Sequence, residues 1–418
     1  MRLLVVTYGT EGDTRPLAML CHGLMQAGHE VMLLAEGGTL ESARVLGVPH
    51  AALEGDIHDE VVALVSRRND LGAAARGLAR MAARHVPAWM RQADAAAVGC
   101  DAVLTGGLAA FVGMSVAERH GIPVIGLGMI PLTPTRLFPT PFLPRLRLPG
   151  VLNRWSYSAV NHAVWRTFKW PINEARQAMG MPARRSLWRD VPMLYGISPS
   201  LLPEPADWPA DHHVCGQWRA PDLGWQPDAE LQAFLDAGPA PVYLGFGSMA
   251  GFDREQVLPA LLGALAPRRV LLSPGWAGLP EMTLPPSVFV VGAVPHEALF
   301  PRCAFVIHHG GSGTTHSACR AGVPSLVMPF AADQFFWARR LQELGVAPGA
   351  LSVKRLDVDS LARAIGFAES PPARERAAML GQAMAAEDGV AAAVAYVEQM
   401  ITAQGGAARG RGRAVPAR

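Results

Sequence analysis

Residues 306–334 read VIHHGGSGTTHSACRAGVPSLVMPFAADQ, and the order of residue types in them sets the class of fold. Phe305, Val306 and Ile307 form a short apolar run of the kind a buried strand carries. Two histidines and Gly310-Gly311-Ser312-Gly313 follow, too rich in glycine for a helix interior. Thr314 and Thr315 lead into a helical pattern that stops at Gly322, ahead of Pro324. Strand, glycine loop and helix in that order aim backbone N–H groups and the positive end of a helix at an anion. The segment is neither G-x-x-x-x-G-K-[ST] nor G-x-G-x-x-G, which disfavours a P-loop and an ordinary dinucleotide fingerprint. At this level a phosphate site and a plain tight connection both fit.

The same theme occurs twice more. Residues 3–7 are apolar, 9–14 are polar and punctuated by glycine, and Pro16 suits the first turn of a helix. Leu17, Leu20, Cys21, Leu24 and Met25 then share one helical face, and residues 30–35 supply the next strand. Residues 240–252, APVYLGFGSMAGF, repeat strand and glycine loop, with a helix expected over 256–265 and a strand over 270–273. Further strands are expected at 102–105, 123–127, 289–291 and 325–328, and helices at 72–90, 108–120 and 390–401. Two halves that each begin β-loop-α-β predict two doubly wound α/β domains, Rossmann-like, whose loops face a central cleft.

Composition agrees. The chain has 418 residues, half of them apolar and 17% charged, enough for two cores. A net charge of +2 argues against nucleic acid as a partner. Five scattered cysteines without C-x-x-C suggest a reduced, cytoplasmic protein with neither a disulfide framework nor a zinc site. No apolar run reaches the roughly 18 residues of a membrane span.

Residues 130–190 differ from the rest. Six prolines precede an aromatic stretch with Trp155, Tyr157, Trp165, Phe168 and Trp170, and ten Arg and Lys side chains are set against only Glu174 and Asp190. An apolar acceptor pocket is one reading, with contact between its basic edge and anionic membrane as a separate and disfavoured addition; a packed insertion with a solvated basic face is the other. Residues 199–241 read as a proline-rich linker, with His212 and His213 solvated or structural.

Asp13 lies on the first glycine loop. A carboxylate opposite a phosphate site suits a general base, but Asp13 and Thr14 also stand where a helix begins, and a capping role fits equally. Asp357-Val358-Asp359 is a D-x-D sequence that helix capping explains. His308 reads as a packed or loop-orienting residue.

Taken together, GTEGDTRP at 9–16, GFGSM at 245–249, VPH at 294–296, HHGGSGTT at 308–315, RAGVP at 320–324 and PFAADQ at 329–334 resemble the nucleotide-sugar glycosyltransferases of the GT-B fold. Within these, the sterol-type enzymes and the glycopeptide and macrolide antibiotic glycosyltransferases are the most similar. The resemblance is dense in the first 30 residues and over 240–350. It implies an acceptor-binding domain at 1–215, a nucleotide-sugar domain at 216–388 and a helix at 389–403 packing back on the N-terminal domain; residues 404–418, which lack apolar periodicity, read as a disordered basic tail.

It also implies roles. Asp13 matches the base that deprotonates the acceptor hydroxyl. His309 matches the pyrophosphate contact, with Gly311, Ser312, Gly313, Thr314 and Thr315 in the phosphate loop. Asp333 and Gln334 match the sugar-binding pair, Val294 the backbone contact to the nucleotide base, and Ser248 a hydroxyl contact to phosphate or sugar. Glu11 stands where many members have arginine, and Ala293 where plant members have a stacking tryptophan. Trp276 is then a candidate nucleotide contact, with loop packing as its other reading. The implied activity is inverting, metal-independent transfer of a hexose, glucose from UDP-glucose or a dTDP-sugar, to a hydrophobic hydroxylated acceptor, with no further cofactor. An epimerase or hydrolase of the same fold, and a non-catalytic partner of a glycosyltransferase, are the alternatives.

Overall fold

A computed structural model describes residues 1–56, 71–143, 148–219, 221, 224–247, 253–275, 278–353 and 356–411. Ser248 and Trp276 lie outside the described residues. Two parallel sheets form the frame, one in each half of the chain.

The first sheet has the order β3-β2-β1-β4-β5-β6-β7. Its strands are β1 (Arg2–Val6), β2 (Glu30–Glu36), β3 (His50–Leu53), β4 (Ala102–Thr105), β5 (Val124–Gly128), β6 (Met193–Tyr195) and β7 (His212–Val214). The central strands carry nearly continuous apolar runs because helices cover both faces, as parallel sheets require. On one face the helix Glu11–Gln26 packs Leu17, Leu20 and Leu24 beside Ala393, Val397 and Met400 of the closing helix, Gly389–Arg411. The other face carries Met81, Trp89, Val116, Trp165 and Phe168, from the helices Leu71–Ala96, Ala110–His120 and Gly150–Ala178.

The second sheet runs β10-β9-β8-β11-β12. It is built from β8 (Val242–Gly245), β9 (Val270–Ser273), β10 (Val288–Val290), β11 (Phe305–His308) and β12 (Ser325–Val327). In each sheet the chain reverses direction of winding beside its first strand, between β1 and β4 and between β8 and β11. Ligands of open α/β sheets bind at such switch points, beyond the carboxyl ends of the strands. No helix among the described residues is long and apolar enough to cross a membrane.

Two expectations need correction, and for His212 and His213 the structural alternative holds. The stretch read as a linker is packed: Ile197, Leu201, Leu202 and Trp208 share a core with Phe336, Trp337 and Leu341 of the second half, and Arg340 Nε donates to the Leu201 carbonyl at 2.6 Å. His212 and His213 belong to strand β7, where the His213 ring stacks on Tyr396 at 3.9 Å. The closing helix continues to Arg411, past residue 403, where it was expected to end; residues 412–418 lie outside the described ones. All five cysteines are buried thiols.

Candidate active site

The two switch points open on one cleft of about 1750 Å³. Its lining includes Asp13, Val294, His309, Gly311, Ser312, Gly313, Thr314, Asp333 and Gln334, so most of the residues singled out in sequence converge there.

Asp13 reaches it from a helix. The helix begins at Glu11, five residues before Pro16, so only Gly9 and Thr10 remain as loop. Thr10 is the cap and Asp13 its reciprocal partner. The Thr10 N–H donates to Asp13 Oδ2 at 2.9 Å, with the Thr10 hydroxyl 3.3 Å from the same oxygen. This is a capping box, and it leaves Oδ1 of the carboxylate outside those bonds. Gly9 is required beside it, because a Cβ there would lie 2.2 Å from Asp13 Oδ2. Burial raises the Asp13 carboxyl above its ordinary value, outweighing the lowering by Thr10.

Facing it is the start of the helix Ser312–Arg320, whose N-cap Gly311 offers no side chain. The first-turn N–H groups of that helix have no side-chain cap and carry its positive end. Beside them stands His309, with Nδ1 buried and without a hydrogen-bond partner. Burial, with the His296 charge adding to it, pulls the His309 imidazole down to about 4. It is therefore neutral at pH 7 and can offer one N–H rather than a cation. His308 is turned inward: the Gly310 N–H donates to its Nδ1 at 3.1 Å, which orients the loop. Burial pulls His308 down to about 3.

Gly311 lies directly under the His309 ring, and a Cβ there would fall 2.4 Å from Nε2. The backbone of Gly311, at φ −63, suits any residue. Gly311→Ala is therefore expected to leave the melting temperature nearly unchanged while displacing the imidazole. Affinity for UDP should fall roughly tenfold or more, about 1.4 kcal/mol, by calorimetric titration; unaltered UDP affinity would show that His309 does not meet the diphosphate.

Asp333 lies at the start of the helix Gln334–Glu343, after a turn in which Ala332 takes φ 52. Trp337 Nε1 donates to Asp333 Oδ2 at 3.1 Å. Burial pushes the Asp333 carboxyl up to about 6; the Trp337 bond opposes this, and the Asp13 charge adds to it. The two carboxylates thus sense one another across the cleft.

Two of the candidates that line the cleft also hold the fold together, and a third, Thr315, stands outside the lining. The Gln334 side-chain Oε1 accepts from the Phe330 and Ala331 N–H groups at 2.7 and 3.0 Å, so it shapes the turn that carries Asp333. Ser312 Oγ donates to the Met129 carbonyl at 2.8 Å and bridges the two halves. Thr315 is fully buried and does not line the cleft. Asp357 caps the helix Val358–Glu369, accepting from the Ser360 N–H at 2.8 Å.

Sequence reading missed Glu297, which lines the cleft and accepts from Ser317 Oγ at 3.2 Å. It directly follows Val294-Pro295-His296, and that adjacency was the available signal. His316 was missed as well: it accepts the Ser198 N–H at 3.1 Å and joins the halves behind the phosphate loop.

The N-terminal wall of the cleft is apolar, with Leu108, Phe111, Met114, Val164, Phe168 and Trp188. Trp188 stacks on Phe111 at 6.0 Å and is tied by its Nε1–H to Glu118 at 3.2 Å. Glu118 also receives both terminal nitrogens of Arg176 (3.2 and 2.8 Å) and Arg184 Nη1 at 3.0 Å. Part of the basic run is therefore internal structure rather than a solvated face.

With this geometry in place, likeness to known proteins is informative. The chain is 33% identical to the O-mycaminosyltylonolide 6-deoxyallosyltransferase of Streptomyces fradiae, over 96% of this chain and 97% of that protein. The chain belongs to the GT-B glycosyltransferases. This glycosyltransferase is also 31% identical to a sterol 3-beta-glucosyltransferase of Arabidopsis thaliana, over 94% of this chain and 67% of that protein. A family profile described as "Erythromycin biosynthesis protein CIII-like, C-terminal domain" matches residues 277–400. Among solved structures, the glycosyltransferase VinC in complex with DTDP superposes with a TM-score of 0.65 at 20% identity, covering 95% of this chain and 99% of that one. Membership of this family sets aside the epimerase, hydrolase and non-catalytic readings.

Proposed function

We propose that this glycosyltransferase moves a hexose from a pyrimidine nucleoside diphosphate sugar, UDP-glucose first among them, to a hydroxyl of a hydrophobic natural product, with inversion and without a resident metal. The observation that carries the reading is the opposition of Asp13 to His309 and the uncapped helix start at Ser312. A base stands on one side of the cleft, and neutral donors for a diphosphate stand on the other. In the proposed reaction the acceptor oxygen forms its bond to the anomeric carbon as the bond to the diphosphate oxygen breaks. Asp13 takes the hydroxyl proton, and the electron pair leaves with the diphosphate. Negative charge develops there, where the helix N–H groups and His309 stabilise it.

Asp333 is the sugar contact in this scheme, and Val294 lies where the base would rest. Ser248 and Trp276 keep their proposed roles at phosphate or sugar and at the nucleotide. The apolar wall around Trp188 suits a polyketide, macrolide or sterol-like acceptor, and sterol is the acceptor in the name of one relative. A dTDP-sugar is the second donor reading, favoured by the nucleotide in the VinC complex.

Incubation with UDP-glucose or dTDP-glucose, a panel of hydrophobic alcohols and excess EDTA tests the whole reading. Acceptor-dependent release of UDP, undiminished by EDTA and giving a β-glucoside from the α-linked donor, is expected. An α-glucoside would overturn inversion, and loss of activity restored by Mg²⁺ would overturn metal independence.

The acid limb of kcat/KM should rise with pH, because the base works ionised. Its midpoint should lie above the ordinary 3.8, since burial raises Asp13. The coupled Asp13–Asp333 pair titrates in macroscopic steps. A midpoint at or below 3.8 would contradict the buried base. For stability the sign is fixed by Asp333, whose folded value of about 6 lies above 3.8. Its favourable contribution is complete below pH 3.8 and is lost as pH rises through 6.

A further inference from the structure

The helix Gly150–Ala178 shows two faces. One lines the cleft. The other carries Val151, Trp155, His162, Arg166 and Trp170, at the four- and seven-residue spacings that share one side of a helix. Val151 is 72% exposed, Trp155 67% and Trp170 65%. Two surface tryptophans on one helix are unusual, because burying such a ring is strongly favourable. The preceding segment enlarges the patch: Thr140 N–H donates to Ser156 Oγ at 3.0 Å and Asn153 Nδ2 to the Arg136 carbonyl at 2.9 Å. Those bonds hold the exposed Leu137, Phe142 and Leu143 against the helix start. Phe142 and Val164 also line the cleft, so the patch continues into its mouth.

Charge identifies the partner. From Arg136 to Glu174 the sequence has six Arg and Lys residues against a single carboxylate, Glu174, in a chain whose net charge is only +2. Asp207, the carboxylate that approaches from outside the segment, is engaged by Thr135 Oγ1 at 2.7 Å and the Arg136 N–H at 2.9 Å. A second copy of this chain would bring Arg166 and Lys169 against like charges, which opposes self-association through this face. Exposed indole rings flanked by cations instead match the interface of an anionic bilayer, where the rings sit at headgroup depth and the cations meet lipid phosphates.

We propose that this face docks peripherally on anionic phospholipid membrane, with the mouth of the cleft at the lipid surface.

Flotation of the full chain with vesicles of phosphatidylcholine alone, or with about a third phosphatidylglycerol, tests it. Binding to the anionic vesicles is expected, weakening as salt rises. Arg166→Gln with Lys169→Gln should weaken it roughly 30-fold. Trp155→Ser with Trp170→Ser should abolish it, both variants keeping the parent's melting temperature and soluble-acceptor turnover. Equal binding to both vesicle types, or variants that bind like the parent, would overturn the proposal. So would absence of vesicle binding together with a dimer, by sedimentation, that the tryptophan variant loses.

Discussion

Asp13→Asn is expected to cut turnover by roughly 100- to 10,000-fold, the contribution of a well-placed general base. That corresponds to about 3–5 kcal/mol in the barrier. The substitution isolates chemistry from structure for a reason visible in the fold. Asp13 also closes the capping box with Thr10, and an asparagine oxygen can still accept the Thr10 N–H. The helix Glu11–Gln26 should therefore stay in place, the melting temperature should move little, and UDP should bind as before. Single-turnover assays with saturating donor would read the chemical step directly. A rate within tenfold of the parent would remove Asp13 from the role of base.

Glu118→Ala is expected to be the most destabilising single change outside the core. Arg176 has a side chain only 1% exposed, and Glu118, 36% exposed, is its carboxylate partner. Removing one member of a buried pair leaves an uncompensated charge at about 3–5 kcal/mol. Water reaching the half-exposed carboxylate site reduces that toward about 3 kcal/mol. Denaturant unfolding should show the loss as a lower midpoint at constant slope. Burial pushes the Glu118 carboxyl up, but the hydrogen bonds and charges of Arg176 and Arg184, with the Trp188 N–H, outweigh this and hold it below the usual range. Its contribution is thus present above the ordinary 4.5 and lost as pH falls through the depressed value. Because Trp188 is released too, KM for a hydrophobic acceptor should rise while KM for the donor stays put. An unchanged midpoint would mean that Arg176 finds another partner.

Local pattern carried much of the active site. Val306, Ile307 and the glycines after them can be little but strand and loop, and the six short motifs name their family. Pattern failed where local signals were weak or masked. Strands β3, β6 and β7 are three or four residues long. Two of them, at the sheet edges, lack a buried apolar run, and β7 is His-His-Val. The helix start at Glu11 was hidden by Gly12, although Thr10 and Asp13 spell a capping box. Thr315, adjacent in sequence to Thr314, is buried because helical rotation turns it away from the cleft.

Family, the two-domain plan and the candidates Asp13, His309 and Asp333, which line one cleft, were legible in the sequence, because turns, caps and glycine loops are local and depend on neighbours a few residues apart. Three matters belonged to the tertiary structure: which atoms are already spent, how the carboxylates are tuned, and where the basic residues go. Ser312 is committed to the Met129 carbonyl, 183 residues away in sequence, which only folding brings near. Burial raises the Asp333 carboxyl, and the charge of Asp13, from the other half of the chain, adds to it. The arginines divide between Glu118, 58 and 66 residues away in sequence, and the exposed face with Trp155 and Trp170. Burial and charge act through space, and a linear pattern carries no distance between residues that meet only when the two sheets close on the cleft.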